Sequence, residues 1–244
     1  MEGPRVLLAA FSDVHGPRYL HYLRASLPSL SSAGMILIAG DIVDKGAVHH
    51  CRLVMDVVRS VYKGPVVAVF GNEEYDEVEG ELRESCADVR WLKDEVALVE
   101  ASGARVAVVG TRGALDEPTR WQARNVPNIR EIYERRLALI ERLLAEAKRG
   151  ADYVVLLTHY APLCSTLEGE PTRIWSQMGS RKLTRIIMQA GPDAVIHGHA
   201  HNSVKLRTTL GRAEVYNVAL PATKGVTLVE LRPRGLESYL LRPS

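Results

Sequence analysis

Val6-Leu7-Leu8-Ala9-Ala10-Phe11-Ser12-Asp13-Val14-His15 opens on six apolar residues and closes on an Asp-x-His pair. A short aliphatic run without polar alternation is the pattern of a strand buried on both faces. The polar pair therefore falls just past the carboxyl end of a strand, where open α/β sheets gather their chemistry. Four other runs repeat the plan. Met35 to Ala39 leads into Gly40-Asp41, Val66 to Phe70 into Gly71-Asn72, Tyr153 to Leu157 into Thr158-His159, and Ala194 to Ile196 into Gly198-His199-Ala200-His201. Asp13, His15, Asp41, Asn72, His159, His199 and His201 are all metal-ligand types, so the repeated plan predicts a metal site along one sheet edge.

Outward from these runs, Pro17 with Leu20, Leu23 and Leu27 predicts an amphipathic helix that Pro28 ends. Val54, Val57, Val58 and Val61 mark a second helix, and a short acidic one is expected from Tyr75 to Ser85. Strands are expected near Val89 to Trp91, Val96 to Glu100 and Arg105 to Val109. Ile129 to Arg149 carries one apolar face, with Asn128 placed to cap it and Glu131 to complete a capping box. A shorter helix is expected from Arg181 to Gln189. Beyond the His-rich cluster, Val204 to Leu210, Ala213 to Asn217, Val226 to Leu231 and Leu236 to Leu241 read as an antiparallel meander. Two packed sheets with helices outside bury both kinds of pattern. Leu115 to Pro127 and Cys164 to Gly179, each carrying Pro, Trp and Arg, fit neither a helix nor a strand pattern and are long enough, as loops, to rim a cleft.

The 244 residues, 46% of them hydrophobic, suit one domain over residues 1–244. With 31 basic and 29 acidic side chains the net charge is +2, which supplies no global field toward nucleic acid or anionic lipid. No apolar stretch approaches the roughly 20 residues of a bilayer-spanning helix, and Val6 to Phe11 is too brief for a signal-peptide core. A cytoplasmic protein is the expectation. Cys51, Cys86 and Cys164 are scattered without C-x-x-C spacing, so they are read as unbonded, buried fillers in a reducing compartment. Nothing in charge or hydropathy fixes an oligomeric state.

Asp13 and His15, two apart in an extended loop, project to one side, as do His199 and His201. Seven ligands exceed one tetrahedral shell. With Asp41 as a bridging carboxylate they suffice for two divalent transition-metal ions. A shell of imidazole, carboxylate and amide favours Mn, with Fe, Ni, Co or Zn as alternatives, over Ca or thiolate-bound zinc.

In this order, D-x-H, G-D, G-N, H and G-H-x-H resemble the motifs of the calcineurin-like metallophosphoesterases, and the resemblance spans Asp13 to His201. It implies an α/β (α+β) fold, a four-layer αββα sandwich of two mixed β-sheets flanked by helices. It also implies that Asp13, His15, Asp41 and His201 hold a first metal, and Asp41, Asn72, His159 and His199 a second. Two ions about 3.5 to 4 Å apart generate a bridging hydroxide that attacks phosphorus and clamp the phosphoryl oxygens of an in-line displacement. The expected substrate is a phosphate ester, nucleotide-type esters included.

One cluster departs from the pattern. The family has G-N-H followed by Asp or Glu, whereas this chain has Gly71-Asn72-Glu73-Glu74. The resemblance implies that the missing histidine stabilises the transferring phosphoryl group or protonates the leaving oxygen, a general-acid role typically contributing about 10²–10⁴-fold. Glu73 is thus the catalytic candidate in its place, and its presence shifts the expectation toward phosphodiesters. Two other functions are a nuclease, as in the break-repair branch of this family, and a non-catalytic scaffold, as in the phosphoesterase-like subunit of retromer. His197 is expected to be a buried structural histidine, and His21, His49 and His50 to be solvent-exposed. Arg112, Arg120, Arg124 and Arg173 are candidates for phosphate contacts, Trp121 and Trp175 are expected to pack their loops onto the body, and Glu73 to Glu84 to form a solvated acidic face.

Overall fold

The computed structural model describes residues 4–233. Strand β1 (Val6–Phe11) leads into helices α1 (Leu20–Ala25) and α2 (Leu27–Ser31), then β2 (Met35–Ile38), α3 (His49–Val61), β3 (Val66–Val69), α4 (Glu79–Ser85) and β4 (Arg90–Leu92). A hairpin of β5 (Glu95–Ala101) and β6 (Ala104–Thr111) precedes α5 (Arg120–Asn125), α6 (Ile129–Ala147) and β7 (Tyr153–Thr158). The two-residue strands β8 (Ala161–Pro162) and β9 (Gly179–Ser180) pair across a loop. Next come α7 (Arg181–Ala190), β10 (Ala194–His197), β11 (Arg207–Leu210), β12 (Ala213–Asn217), α8 (Leu220–Thr223) and β13 (Thr227–Leu231).

One sheet has the order β13-β1-β2-β3-β4 and the other β11-β12-β10-β7-β6-β5. Within them β1 to β4 are mutually parallel, as are β6, β7, β10 and β12, while β13, β5 and β11 run antiparallel at the edges. Alternation along β1 explains why its sequence is continuously apolar. Val6, Leu8 and Ala10 face the second sheet, and Ala9 and Phe11 face the helices. On β7, Tyr153, Val155 and Leu157 complete the layer between the sheets, while Val154 and Leu156 pack under α6 and α7. Helices α1 to α3 cover the first sheet and α6 and α7 the second, which makes the four layers of an αββα sandwich.

Several expectations are corrected. Gly16-Pro17 is a cis peptide in a turn, not a helix start. The single helix ending at Pro28 is two short helices, and Pro28 sits in the first turn of α2, where its missing N–H is no loss. Asn128 takes a left-handed backbone at φ 55° and makes no side-chain cap; the capping box forms instead at Thr119 and Gln122, inside the segment expected to be a loop. The meander does not form. β12 runs parallel to β10, and β13 crosses to the other sheet to pair antiparallel with β1, Val6 opposite Leu231. The strand expected at Leu236 to Leu241 lies outside the described residues. Cys51 and Cys86 are bonded at 2.13 Å, against the expectation of unbonded fillers, and Cys164 is free and half-buried. They lie 35 residues apart, so spacing gives no hint of the pairing; α3 and the end of α4 bring them onto one sheet face. Among the described residues no helix is long and apolar enough to cross a membrane.

Candidate metal centre

The carboxyl ends of β1, β2, β3, β7 and β10 meet at one end of the sandwich, and hydrogen bonds between their loops set the ligands. The Asp13 N–H donates to Gly40 O at 3.0 Å and the His15 N–H to Asp41 O at 3.0 Å, so the first two loops are zipped together. Asp13, His15, Asp41 and His199 have φ of 56°, 42°, 51° and 69°. Their backbone is left-handed, which corrects the extended loop expected for Asp13 and His15. Non-glycine residues pay about 1–2 kcal/mol for this conformation, and such strain collects at functional sites. The motif glycines serve as clearance. A Cβ on Gly40, at φ +85°, would lie 2.6 Å from Gly71 N and 2.8 Å from His159 Nδ1, and one on Gly198 would lie 2.5 Å from Asp13 Oδ2.

Donor atoms of Asp13, His15 and His201 lie within 4.8 Å of one another, and so do those of Asp13, Asp41 and His159. Asp13 Oδ1 is 2.8 Å from His201 Nε2, and its Oδ2 accepts the His199 N–H at 2.9 Å. Asp41 Oδ2 stands 3.7 Å from His15 Nε2 and 3.5 Å from His159 Nε2, between the two imidazoles. Asn72 Oδ1 is 2.9 Å from His159 Nε2, and His159 Nδ1 faces Ala39 O at 2.8 Å. The His199 ring stands further out, its centroid 5.0 Å from that of His159.

These residues fit a cation. Both ring nitrogens of His15 are buried without a hydrogen-bond partner, and Nε2 faces Asp13 Oδ1 at 3.8 Å as well as Asp41 Oδ2 at 3.7 Å. That is too long for a hydrogen bond and suits donors sharing an ion at about 2.1 Å each. Burial lowers the His159 imidazole to about 4 and holds His199 well below its ordinary value, so both are in the neutral, ligating form. Burial would also lower His201, but the Asp13 carboxylate outweighs it and raises the imidazole. For Asp13, burial pushes the carboxyl up, yet His201 and His15 outweigh it and hold it well below the carboxylate range. Asp41 is raised by burial and by the Glu74 and Asp13 carboxylates, a crowding that a cation relieves.

Glu73 is half-buried. Its Oε2 accepts the Lys45 N–H at 2.8 Å, its Oε1 the Asn72 Nδ2 at 3.2 Å, and its own N–H donates to Asp41 Oδ1 at 2.8 Å. Sequence reasoning missed Glu74, which was read as part of a solvated face. It is fully buried and accepts the N–H groups of Asp41 at 2.8 Å, Val43 at 3.0 Å and Gly71 at 2.7 Å. The available signal was a carboxylate inside a strand-end loop, next to a glycine whose N–H needs an acceptor. Glu79 of the same run is also buried.

Arg112 is not free for phosphate, being paired with Asp76 at 2.8 Å and Glu79 at 2.9 Å while donating to Glu74 O at 2.8 Å. Trp175 does pack its loop, donating to Glu170 O at 3.0 Å, whereas Trp121 is 64% exposed, contrary to expectation. Arg120, Arg124 and Arg173 are exposed. Of the other histidines, His21 and His49 are exposed and His50 is half-buried.

His197 is fully buried between Thr166 Oγ1 and Gly198 O, each at 2.8 Å, and burial lowers its imidazole to about 4. Unfolded, the same group titrates near the ordinary imidazole value of 6.5, so below that pH the unfolded chain takes up a proton that the native site refuses. Wild type should therefore lose stability relative to His197→Gln as the pH falls, by up to roughly 3 kcal/mol between pH 7 and 4. Urea unfolding of both proteins across that range checks this; a pH-independent difference contradicts it.

The sequence model of the calcineurin-like phosphoesterases (Metallophos) matches residues 6–203. A sequence search of curated proteins found no match. Among solved structures, the chain is similar to a phosphopantetheinyl hydrolase from Mycobacterium tuberculosis at 16% identity and TM-score 0.62, covering 89% of this chain and 90% of that one. It is similar to GAP50, described as the anchor in the inner membrane complex of Plasmodium, at 13% identity and TM-score 0.64, covering 94% and 82%. TT1561 of Thermus thermophilus gives 17% identity and TM-score 0.59 over 94% and 99%. At these identities the structures speak for the fold alone, while the family match covers most of the chain and includes all five loops that carry the candidate ligands. The chain belongs to the calcineurin-like phosphoesterases, a family of metal-dependent phosphoester hydrolases.

Proposed function

We propose that the chain is a phosphodiesterase working through two divalent ions, manganese first among them. Asp13, His15, Asp41 and His201 hold one ion, and Asp41, Asn72, His159 and His199 the other. The observation that carries the reading is the Asp41 carboxylate, placed between the His15 and His159 imidazoles at 3.7 and 3.5 Å. The ions, when bound, activate water near neutral pH and neutralise charge on the phosphoryl oxygens. The chain's own residues do the rest. Glu73 takes the Asn72 amide N–H, which leaves Asn72 Oδ1 turned toward the site.

Glu73 is the catalytic candidate beside the leaving group. A carboxyl group serves a leaving oxygen as an acid only in its protonated form. The reading therefore assigns diesters with good leaving groups, nucleotide-type diesters among them, over alkyl monoesters. With added Mn, bis-p-nitrophenyl phosphate should be turned over faster than a simple alkyl monophosphate, and Glu73→His should raise turnover by about tenfold or more. Equal or better activity on the alkyl monoester counts against the diester assignment. Glu73 also favours a second reading, a metal-binding scaffold for protein partners, and two bound ions without any turnover would select it.

A further inference from the structure

We propose that Arg18, held on the face of Tyr19 beside the first-metal ligands, binds a second phosphate of the substrate, so that the preferred ester carries two phosphates. The proposal rests on the phosphoesterase reading and names the class of substrate within it.

The turn that carries Asp13 and His15 also carries Arg18. The Arg18 N–H donates to His15 O at 2.8 Å and the Tyr19 N–H to Val14 O at 2.9 Å, so both side chains leave from backbone tied to the ligand loop. The Tyr19 ring meets the His15 ring edge-on, centroids 6.1 Å apart at 76°. The Arg18 guanidinium sits 5.3 Å from the centroid of Tyr19. A guanidinium on an aromatic face keeps its in-plane N–H donors for an anion and is partly ordered before the anion arrives.

The rest of the strip has the same character. Tyr22 lies nearly parallel to Tyr19, centroids 6.3 Å apart at 11°, and Lys224 Nζ lies 5.1 Å from the Tyr22 centroid. Two exposed cations thus bracket two stacked rings next to His15. Among the described residues Arg18 has no carboxylate partner, in contrast to Arg112, whose donors are committed to Asp76, Glu79 and Glu74. The nearest carboxylate to the His15 ring outside the ligand set, Asp44, approaches Nδ1 at 3.5 Å, whereas the ligating face of that ring is Nε2. A cation without a carboxylate, on the turn of a site built to hold one phosphoryl group, is placed for another phosphate of the same molecule.

Calorimetric titration of the Mn-saturated protein with thymidine 5′-monophosphate and thymidine 3′,5′-bisphosphate tests this without requiring turnover. Wild type is expected to bind the bisphosphate about tenfold or more tightly than the monophosphate, a preference set by one charge-assisted contact. Arg18→Gln should bring the two affinities to within about threefold. Arg24→Gln, an exposed change on α1, should keep the wild-type preference. A wild-type ratio near one, or an equal ratio in wild type and Arg18→Gln, overturns the proposal. Failure of the functional reading looks different: no hydrolysis of bis-p-nitrophenyl phosphate, with the Arg18-dependent preference intact.

Discussion

Asp41→Asn is expected to lower hydrolysis of bis-p-nitrophenyl phosphate by more than the about 10–100-fold that follows loss of an outer-shell partner of a metal ligand. Asn has the size of Asp and keeps an oxygen to accept the Glu73 N–H, now at 2.8 Å, so the loop is retained. What goes is the negative charge between His15 and His159. In the metal-free protein that charge is a burden, since burial and the Glu74 and Asp13 carboxylates all raise the Asp41 carboxyl. The variant should therefore be inactive yet at least as stable as metal-free wild type by thermal unfolding. Activity above a tenth of wild type would refute a bridging role for this carboxylate.

The second large effect is on folding. Glu74→Ala removes the acceptor of three backbone N–H groups, those of Asp41, Val43 and Gly71, in a place that water does not reach. Leaving buried donors unpaired costs about 1–3 kcal/mol each, and removing one side of a buried polar cluster typically costs about 3–5 kcal/mol. A loss of about 3–5 kcal/mol is expected in urea unfolding, together with weaker metal binding, because the same bonds hold the Asp41 and Asn72 loops against each other. Glu74→Gln keeps one acceptor oxygen but turns an amide N–H toward a donor, so it should fall between. An unchanged unfolding midpoint in Glu74→Ala would remove the structural role.

The parallel strands and the loops after them were legible because a strand buried on both faces has no polar alternation, and its polar residues begin where the sheet ends. Val6 to Phe11 matched β1 residue for residue for that reason. The clustering of the candidate ligands was legible as well: Asp13 shares one group with His15 and His201 and another with Asp41 and His159, and Asn72 meets His159. Backbone conformation was not. The left-handed φ of Asp13 and His15 is imposed by bonds to Gly40 and Asp41, partners far away in sequence. The route of β13 back to β1 was hidden too, because a strand whose two faces differ in burial looks the same whichever sheet it joins. Glu74 was lost inside an acidic run because charge count says nothing about which carboxylate meets three N–H groups. Arg18 was passed over since its neighbours in sequence are ordinary for a helix start, and only the turn from His15 brings it to the site.

The most direct measurement is metal stoichiometry. Wild-type protein, stripped with chelator, reloaded with manganese and dialysed, should carry two ions per chain by mass spectrometry, with Asp41→Asn losing at least one of them. A wild-type chain that stays metal-free after saturation, or one whose content is untouched by Asp41→Asn, would contradict the account.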